Sequence, residues 1–377
     1  LLACSNYPDI SFNVEWSSFR TSHSAITLFL TMPTDLTTPP HTDPLSVYRY
    51  RDGLYAVDLL TAAVVHLDFF TWLATNPSTK EQICTHYGFA ERPVDVMLTL
   101  FLANGFLENT KGVFTLSAKG HEHLTTGSPW NLAPYYASLK NRPVTHDFLQ
   151  VLKTDKPANW GGDKAALDWH KAMETEEFSR SFTAAMDCRG QYLGQALATK
   201  LDLSGRKRLL DIGGGSGIYA CSLCAHHPHL SATVFEQSPV DVIARRCIAE
   251  RGYSDRVSVA VGDMFKSELP QDCDVHLFSN VLHDWGFNEV KELLRISHRA
   301  LPPGGMLIIH DAFINTDKTG PLPVAEYSTL LMHSTQGKCY SVGEYEELLR
   351  ETGFEPGPFV EGAVDRGFMT AIRKHVE

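Results

Sequence analysis

One stretch constrains this chain more than any other. An apolar run ends in an acid and then breaks into four glycines within five residues: Leu209-Leu210-Asp211-Ile212-Gly213-Gly214-Gly215-Ser216-Gly217. Glycine has no Cβ, so the backbone can turn sharply after a strand and come close to a bound ligand. The helix that follows starts with free N–H groups aimed at that ligand. This predicts a strand, a tight turn and a helix, with a nucleotide-like ligand at the strand end. The dinucleotide fingerprint G-x-G-x-x-G is not met. Read from Gly213, its third glycine falls on Ile218; read from Gly214, its second falls on Ser216. The order Asp211-x-Gly213-x-Gly215-x-Gly217 instead suits an adenosine with an amino-acid tail rather than a pyrophosphate.

Downstream the pattern alternates. Strands are expected at 208–212, 232–236, 257–261, 275–279, 306–311 and 368–372, with helix-like stretches between most of them. That alternation predicts a doubly wound α/β sheet. In such sheets ligands sit outside the carboxyl ends of the strands, and chemistry-bearing residues recur there. Glu236 ends the second strand, where an acid can accept both ribose hydroxyls. Gly262-Asp263-Met264-Phe265 follows the third, where the Asp263 carboxylate can take an adenine amino group and Met264 can pack on the ring. As alternatives, Glu236 is a helix N-terminal acid and Asp263 a turn residue. Three such features on successive strand ends favour the ligand.

The N-terminal half reads differently. Residues 37–44, rich in Thr, Pro and His, form a linker. Residues 48–75 have apolar side chains at helical spacing and are expected to make one or two buried helices. A helix with an N-cap opens at Ser78-Thr79-Lys80-Glu81, another runs from Pro93 through Leu102, and 105–116 reads as a β-hairpin. Helix, helix, hairpin is a winged helix-turn-helix outline, which raises DNA binding against a dimerisation or lid module. Lys80, Arg92, Lys111 and Lys119 face Glu81, Glu91, Asp95, Glu108 and Glu122, so the segment is slightly acidic. A groove-reading helix needs the opposite. The whole chain, 377 residues with formal net charge -11, likewise favours a small-molecule partner over nucleic acid.

After the fourth strand comes Asn280-Val281-Leu282-His283-Asp284-Trp285. With the glycine turn and the Gly-Asp-Met-Phe stretch, this makes the chain resemble S-adenosylmethionine-dependent O-methyltransferases. The class includes the plant caffeic acid and flavonoid, hydroxyindole and bacterial polyketide enzymes. The resemblance runs from about Asp43 onward. It implies an α/β, Rossmann-like class I methyltransferase domain (205–377) joined by linking helices and acceptor-pocket wall (151–204) to a mostly helical, winged-helix-like dimerisation domain (44–150), with 1–43 as an extension. It implies S-adenosyl-L-methionine as cofactor, a small-molecule methyl acceptor and a homodimer. His283 matches the family's general base and Asp311 a residue that orients it. Cofactor contacts are expected from Asp211, Gly213, Gly215, Gly217, Glu236, Asp263, Met264, Phe265, Ser279 and Asp284, while Trp285 is wall or ligand contact. An imidazole base makes chemical sense: a phenol of pKa near 10 is a poor nucleophile until its proton is drawn off.

The chain departs from the family at two places. Gly337-Lys338 is followed by Cys339 where a second orienting acid is common, and Ser279 stands where plant enzymes often carry a lysine. The acceptor pocket is expected to draw on Tyr135, Tyr136, Trp160, Trp169, Phe182, Met186, Leu330 and Met332, with ordinary core packing as the alternative for each. Met186 lies in a stretch similar to one whose methionine clamps the acceptor ring.

Two rivals stand beside O-methylation. One is S-methylation of a thiol or thioether acid, as in enzymes of the dimethylsulfoniopropionate pathway, which needs no base. The other is a non-catalytic regulatory cofactor-binding protein that uses its winged domain as an interaction module. Cys221-x-x-Cys224 lies on the helix after the glycine turn with no second pair at finger spacing, so it reads as packing and no metal is expected. Eight cysteines in a chain this long form no disulfide framework, which implies a reducing, cytoplasmic setting. The apolar run 25–30 is too short to span a bilayer. The residues before Met32 are expected to be translated upstream sequence with the natural start at that methionine, a targeting peptide being the alternative.

Overall fold

The strands of the C-terminal half assemble in the order β6-β5-β4-β7-β8-β10-β9. They are β4 (Arg208–Ile212), β5 (Ser231–Glu236), β6 (Val257–Val261), β7 (Val275–Ser279), β8 (Met306–Asp311), β9 (Phe354–Glu361) and β10 (Gly367–Arg373). The computed structural model describes residues 35–158 and 172–374, and those from Leu36 onward belong to one compact unit. Five strands run parallel, while β10 pairs antiparallel with both β8 and β9. The strand order reverses between β4 and β7, and a crevice opens at that switch point. Both faces of the sheet are buried, so its central strands read as near-continuous apolar runs: β7 is buried along its whole length.

Strand β9 is absent from the sequence expectation. Its Pro356-Gly357-Pro358 reads as a turn, yet prolines are tolerated on a strand whose outer edge is unpaired, and β9 is the edge of the sheet. Among the described residues, 45–75 hold three helices rather than one or two: Leu45–Asp52, Ala56–Thr61 running on as a wide turn to His66, and Phe69–Thr75. The chain breaks at Gly53 and again at Asp68, which takes a left-handed conformation at φ 45°.

The winged outline forms as expected. Thr79 caps the Lys80–Tyr87 helix in a reciprocal pair, accepting from the Gln82 N–H at 3.3 Å while Gln82 Oε1 accepts from the Thr79 N–H at 2.8 Å. The Glu91–Ala103 helix follows. Then β2 (Leu107–Thr110) and β3 (Val113–Leu116) pair across Lys111 and Gly112, both at positive φ, the geometry a two-residue hairpin turn demands. A two-residue strand β1, Ser78–Thr79, adds to the other side of β3.

One helix of the C-terminal half belongs by packing to the N-terminal core. Val324, Ala325, Leu331 and Met332 of the Leu322–Ser334 helix lie in a single apolar cluster with Leu59, Phe70, Met97 and Phe101. Beside this seam sits a network of buried charges. Lys338 Nζ reaches Asp95 at 2.5 Å and Glu344 at 2.6 Å, and Lys318 Nζ reaches the same two carboxylates at 2.7 and 2.9 Å. Glu344 also closes a capping box with Ser341 at the head of the Val342–Glu351 helix. Burial opposes the charge of Asp95, but the two lysines hold its carboxyl well below the usual range.

Removing one member of a buried ion network strands its partners. Lys338→Met is expected to cost about 3 kcal/mol of folding stability in urea unfolding, whereas Lys318→Met, at a more exposed site, costs about 1. Equal losses would show that burial does not set the strength of this network.

Candidate functional site

A cavity of about 770 Å³ opens over the switch point and runs from the glycine turn to the Leu322–Ser334 helix. Its floor is the turn itself. Gly213 stands at φ 69°, and a Cβ there would meet Val281 Cγ2 at 3.1 Å, so only glycine lets the two strand ends lie side by side. Gly214, Gly215 and Ser216 also line the cavity. Asp211 and Gly217 do not. Asp211 lies fully buried beneath the turn, and burial pushes it up to about 7. Its place is under the loop rather than on the ligand surface.

Along the next strand ends, Glu236 lies at the end of β5 and accepts from the N–H groups of Gly215 and Gln237, each at 3.3 Å. Burial pushes its carboxyl up to about 7 although both N–H groups pull the other way. Asp263 accepts from the Phe265 N–H at 2.9 Å and from Lys266 Nζ at 2.7 Å. Met264 lines the cavity, and Phe265 meets Trp285 edge-on at 4.5 Å to close that end. These positions come together as the sequence reading expects, and they fit an adenosine: an acid for paired hydroxyls, an acid for an exocyclic amine, and apolar faces for a ring.

Further along, β7 ends in Ser279, whose hydroxyl bonds His310 Nδ1 at 2.8 Å, and in Asn280, held at φ 54°. The short 3₁₀ turn Leu282–Asp284 then turns His283 into the cavity wall, 3% exposed. Asp311, at the end of β8, contacts His283 Nδ1 through Oδ1, which also accepts the Ala312 N–H at 2.8 Å. Burial works against its charge, but His283 and the Ala312 N–H keep the Asp311 carboxyl below the usual range. An ionised carboxylate can only accept, so Nδ1 donates and Nε2 remains as the ring's acceptor. Asp311 therefore lies behind the histidine and off the cavity. Burial pushes the neighbouring Asp284 up to about 6 against the pull of His283. The backbone is pinned from outside: a Cβ on Gly337 would stand 2.0 Å from the His283 carbonyl oxygen. Cys339, in the place of a second orienting acid, is buried with its N–H on Ser328 Oγ at 3.1 Å.

At the acceptor end, Phe182, Met186 and Leu330 line the cavity. Tyr135, Tyr136 and Met332 do not, and the expectation for them is revised. Tyr135 is 79% exposed on a surface turn shared with Tyr136, and Met332 points into the N-terminal core. Trp160 and Trp169 lie outside the described residues. The sequence reading missed the polar side of this end. Tyr327 meets the His283 ring edge-on at 5.8 Å, accepts from Arg189 Nη1 at 3.3 Å and lies under the Arg366 guanidinium at 4.3 Å. Arg366 is in turn paired with Asp52 at 2.8 Å. Arg189 was findable: it falls three residues after Met186, on the same helical face. Arg366 comes from the β9–β10 connection and gives no local signal.

Comparison with known proteins agrees with this geometry. Residues 157–355 match the family model of the O-methyltransferase domain. The chain is 32% identical to 3-hydroxy-5-methyl-1-naphthoate 3-O-methyltransferase of Streptomyces sahachiroi over 84% of its own length and 91% of the relative's. It is also 32% identical to L-tyrosine C(3)-methyltransferase of Streptomyces lavendulae, covering 81% and 86% of the two chains. Among solved structures it resembles an O-methyltransferase family 2 protein from Planctomyces limnophilus in complex with apigenin, with TM-score 0.82 and 28% identity over 90% of this chain and 99% of that one.

Proposed function

The chain belongs to the O-methyltransferase family, S-adenosylmethionine-dependent enzymes with small-molecule acceptors, and from that membership we propose that His283 is the general base for methylation of a hydroxyl. The observation that supports the role most directly is the His283–Asp311 pair, which leaves Nε2 as an acceptor on the cavity wall. When bound, S-adenosylmethionine supplies a methyl carbon whose leaving group departs as a neutral thioether. Glu236, Asp263 and the turn residues Gly213 and Gly215 hold its nucleoside half, with Met264, Phe265, Ser279 and Asp284 completing the wall. His283 Nε2 takes the acceptor's hydroxyl proton as the oxygen forms its new bond to carbon. Asp311 stabilises the resulting imidazolium through Nδ1, and the rest of the rate comes from alignment of the two reactants. Phe182, Met186 and Leu330 supply the apolar slot for the acceptor.

The relative that acts on a naphthoate hydroxyl favours an aromatic hydroxyl acceptor here, and favours oxygen over the thiol or thioether considered from the sequence. A catalytic base held by a buried acid speaks against a purely regulatory protein. A homodimer built through the N-terminal helical half is part of the same proposal, supported by Tyr50 (89% exposed), Trp130 (64%) and Tyr135 on that half. The seven described cysteines are all free thiols, which supports a reducing, cytoplasmic setting. No single helix among the described residues is long and apolar enough to cross a membrane.

His283→Ala is expected to lower kcat by about 10²- to 10⁴-fold while leaving S-adenosylhomocysteine affinity unchanged in calorimetry. A mild loss of kcat, or a product whose new methyl resonance sits on carbon or sulfur, removes the base role. Glu236 yields a pH signature. Burial pushes its carboxyl up to about 7, and the ionised form is the stronger acceptor for a pair of hydroxyls. Below that pH, S-adenosylhomocysteine affinity should therefore fall by up to about tenfold per pH unit, with a plateau above it. Glu236→Gln should bind more weakly at pH 8 and lose most of this slope; an unchanged slope assigns the titration elsewhere. Light scattering of the intact protein should give twice the chain mass, and Tyr50→Glu should shift it toward one; a wild-type monomer ends the dimer proposal.

A further inference from the structure

One hydroxyl on the acceptor side of the cavity has its proton unspent. Tyr327, 4% exposed on the Leu322–Ser334 helix, lines the cavity three residues before Leu330 on the same helical face. Its Oη accepts from Arg189 Nη1 at 3.3 Å, and among the described residues nothing accepts the Tyr327 proton in return. A tyrosine hydroxyl taken out of water normally finds a partner for that proton. Two other hydroxyls on the cavity wall are committed inside the protein: Tyr48 donates to the Arg189 carbonyl at 3.0 Å, and Thr335 Oγ1 to the Leu331 carbonyl at 2.9 Å. Phe182, Met186 and Leu330 surround the acceptor with apolar surface.

The Tyr327 ring is held on both sides. The Arg366 guanidinium lies over it at 4.3 Å and is itself fixed by Asp52 at 2.8 Å, while the His283 ring stands edge-on at 5.8 Å. Burial pushes the Tyr327 hydroxyl up to about 12, although both arginines pull it down. It therefore keeps its proton at neutral pH and serves as a donor, not as a second base. Because Arg189 already occupies a lone pair of Oη, the partner that completes Tyr327 is an acceptor atom such as an ether, hydroxyl or carbonyl oxygen. Each hydrogen bond spans about 2.8 Å. With the ring centres 5.8 Å apart, one bound molecule engages His283 and Tyr327 together when its two oxygens stand on neighbouring carbons.

We propose that Tyr327 determines acceptor specificity by donating to a second oxygen beside the hydroxyl that is methylated. The acceptor class is then an aromatic hydroxyl with an oxygen substituent on the adjacent carbon. This rests on the O-methylation reading above and adds to it the pattern of the acceptor's oxygens. Tyr327 takes no part in proton transfer, which stays with His283. Its hydrogen bond holds the acceptor so that the reacting oxygen stays in line.

Two probes of matched shape isolate the hydrogen bond: 3-methoxy-2-naphthol carries the second oxygen, and 3-ethyl-2-naphthol has a methylene in its place. The readouts are the methoxy-to-ethyl ratio of kcat/KM and the same ratio of affinities, the latter by calorimetry on the intact protein saturated with S-adenosylhomocysteine. A buried donor deprived of its acceptor costs about fivefold or more. The wild type is expected to favour the methoxy compound in both ratios. Tyr327→Phe keeps a ring against His283 and Arg366, and it should lower each ratio by at least about fivefold whatever its absolute rate. A wild-type preference for the ethyl compound, or none, overturns the proposal without recourse to any variant. So does a ratio that survives Tyr327→Phe, or failure of both naphthols to bind. Failure of the base reading looks different: the affinity ratio holds and collapses in Tyr327→Phe, while methyl transfer survives His283→Ala.

Discussion

The Leu322–Ser334 helix lies in the C-terminal half by sequence and in the N-terminal core by packing, and the working cavity depends on that double membership. One face of the helix buries Ala325 and Met332 among Phe70, Met97 and Phe101. Other residues bring Tyr327 against the His283 ring and Leu330 to the cavity wall. Apolar burial on the first face, worth roughly 1.5–3 kcal/mol for each large side chain, thus fixes where the chemistry of the second can stand. Hydrophobic packing has little direction of its own, so the placement is made exact by polar anchors at the helix end. Arg92 donates to the Gly337 carbonyl at 2.7 Å, and Lys338 ties the following segment to Asp95.

Buried charge is used here for positioning as much as for stability. Asp311 behind His283, Asp52 beneath Arg366 and Asp95 between two lysines are each matched by a counter-charge. Such pairs gain little net stability over an apolar replacement but are strongly directional. They join segments far apart in the chain: Asp52 and Arg366 link the Leu45–Asp52 helix to the last hairpin of the sheet. Against this background the uncompensated groups stand apart. Asp211 and Glu236 are both driven up to about 7 by burial. Both lie at the glycine turn, where a hydrogen-bonding ligand would relieve them.

Much of the architecture could be read from residue pattern because it is local. Strands 208–212, 257–261, 275–279 and 306–311 coincide with the observed ones, since fully buried parallel strands leave continuous apolar runs between glycine-rich turns. The hairpin and its Thr79-capped neighbour carry their turn and cap residues in sequence. Strand β9 escaped because its prolines are tolerated only at an unpaired edge, and edge status is a property of the assembled sheet. Tyr135 and Met332 show the same limit in the site. An aromatic or a methionine at helical spacing looks alike whether it faces a ligand, a core or solvent.

The sequence by itself determined the strand–turn–helix and the acids at the next two strand ends, while the His283–Asp311 pairing was implied by the family resemblance. Each is set by a residue type at the end of a strand, and all strand ends of a parallel sheet lie along one edge. Only the tertiary structure decided what surrounds them. It put Asp211 under the turn rather than on the ligand surface, brought Arg366 over Tyr327, and left Arg189 Nε and Asn280 Oδ1 buried without partners. These are relations between segments distant in sequence, fixed by helix packing and by the desolvation of particular atoms, and no local pattern of residues encodes them.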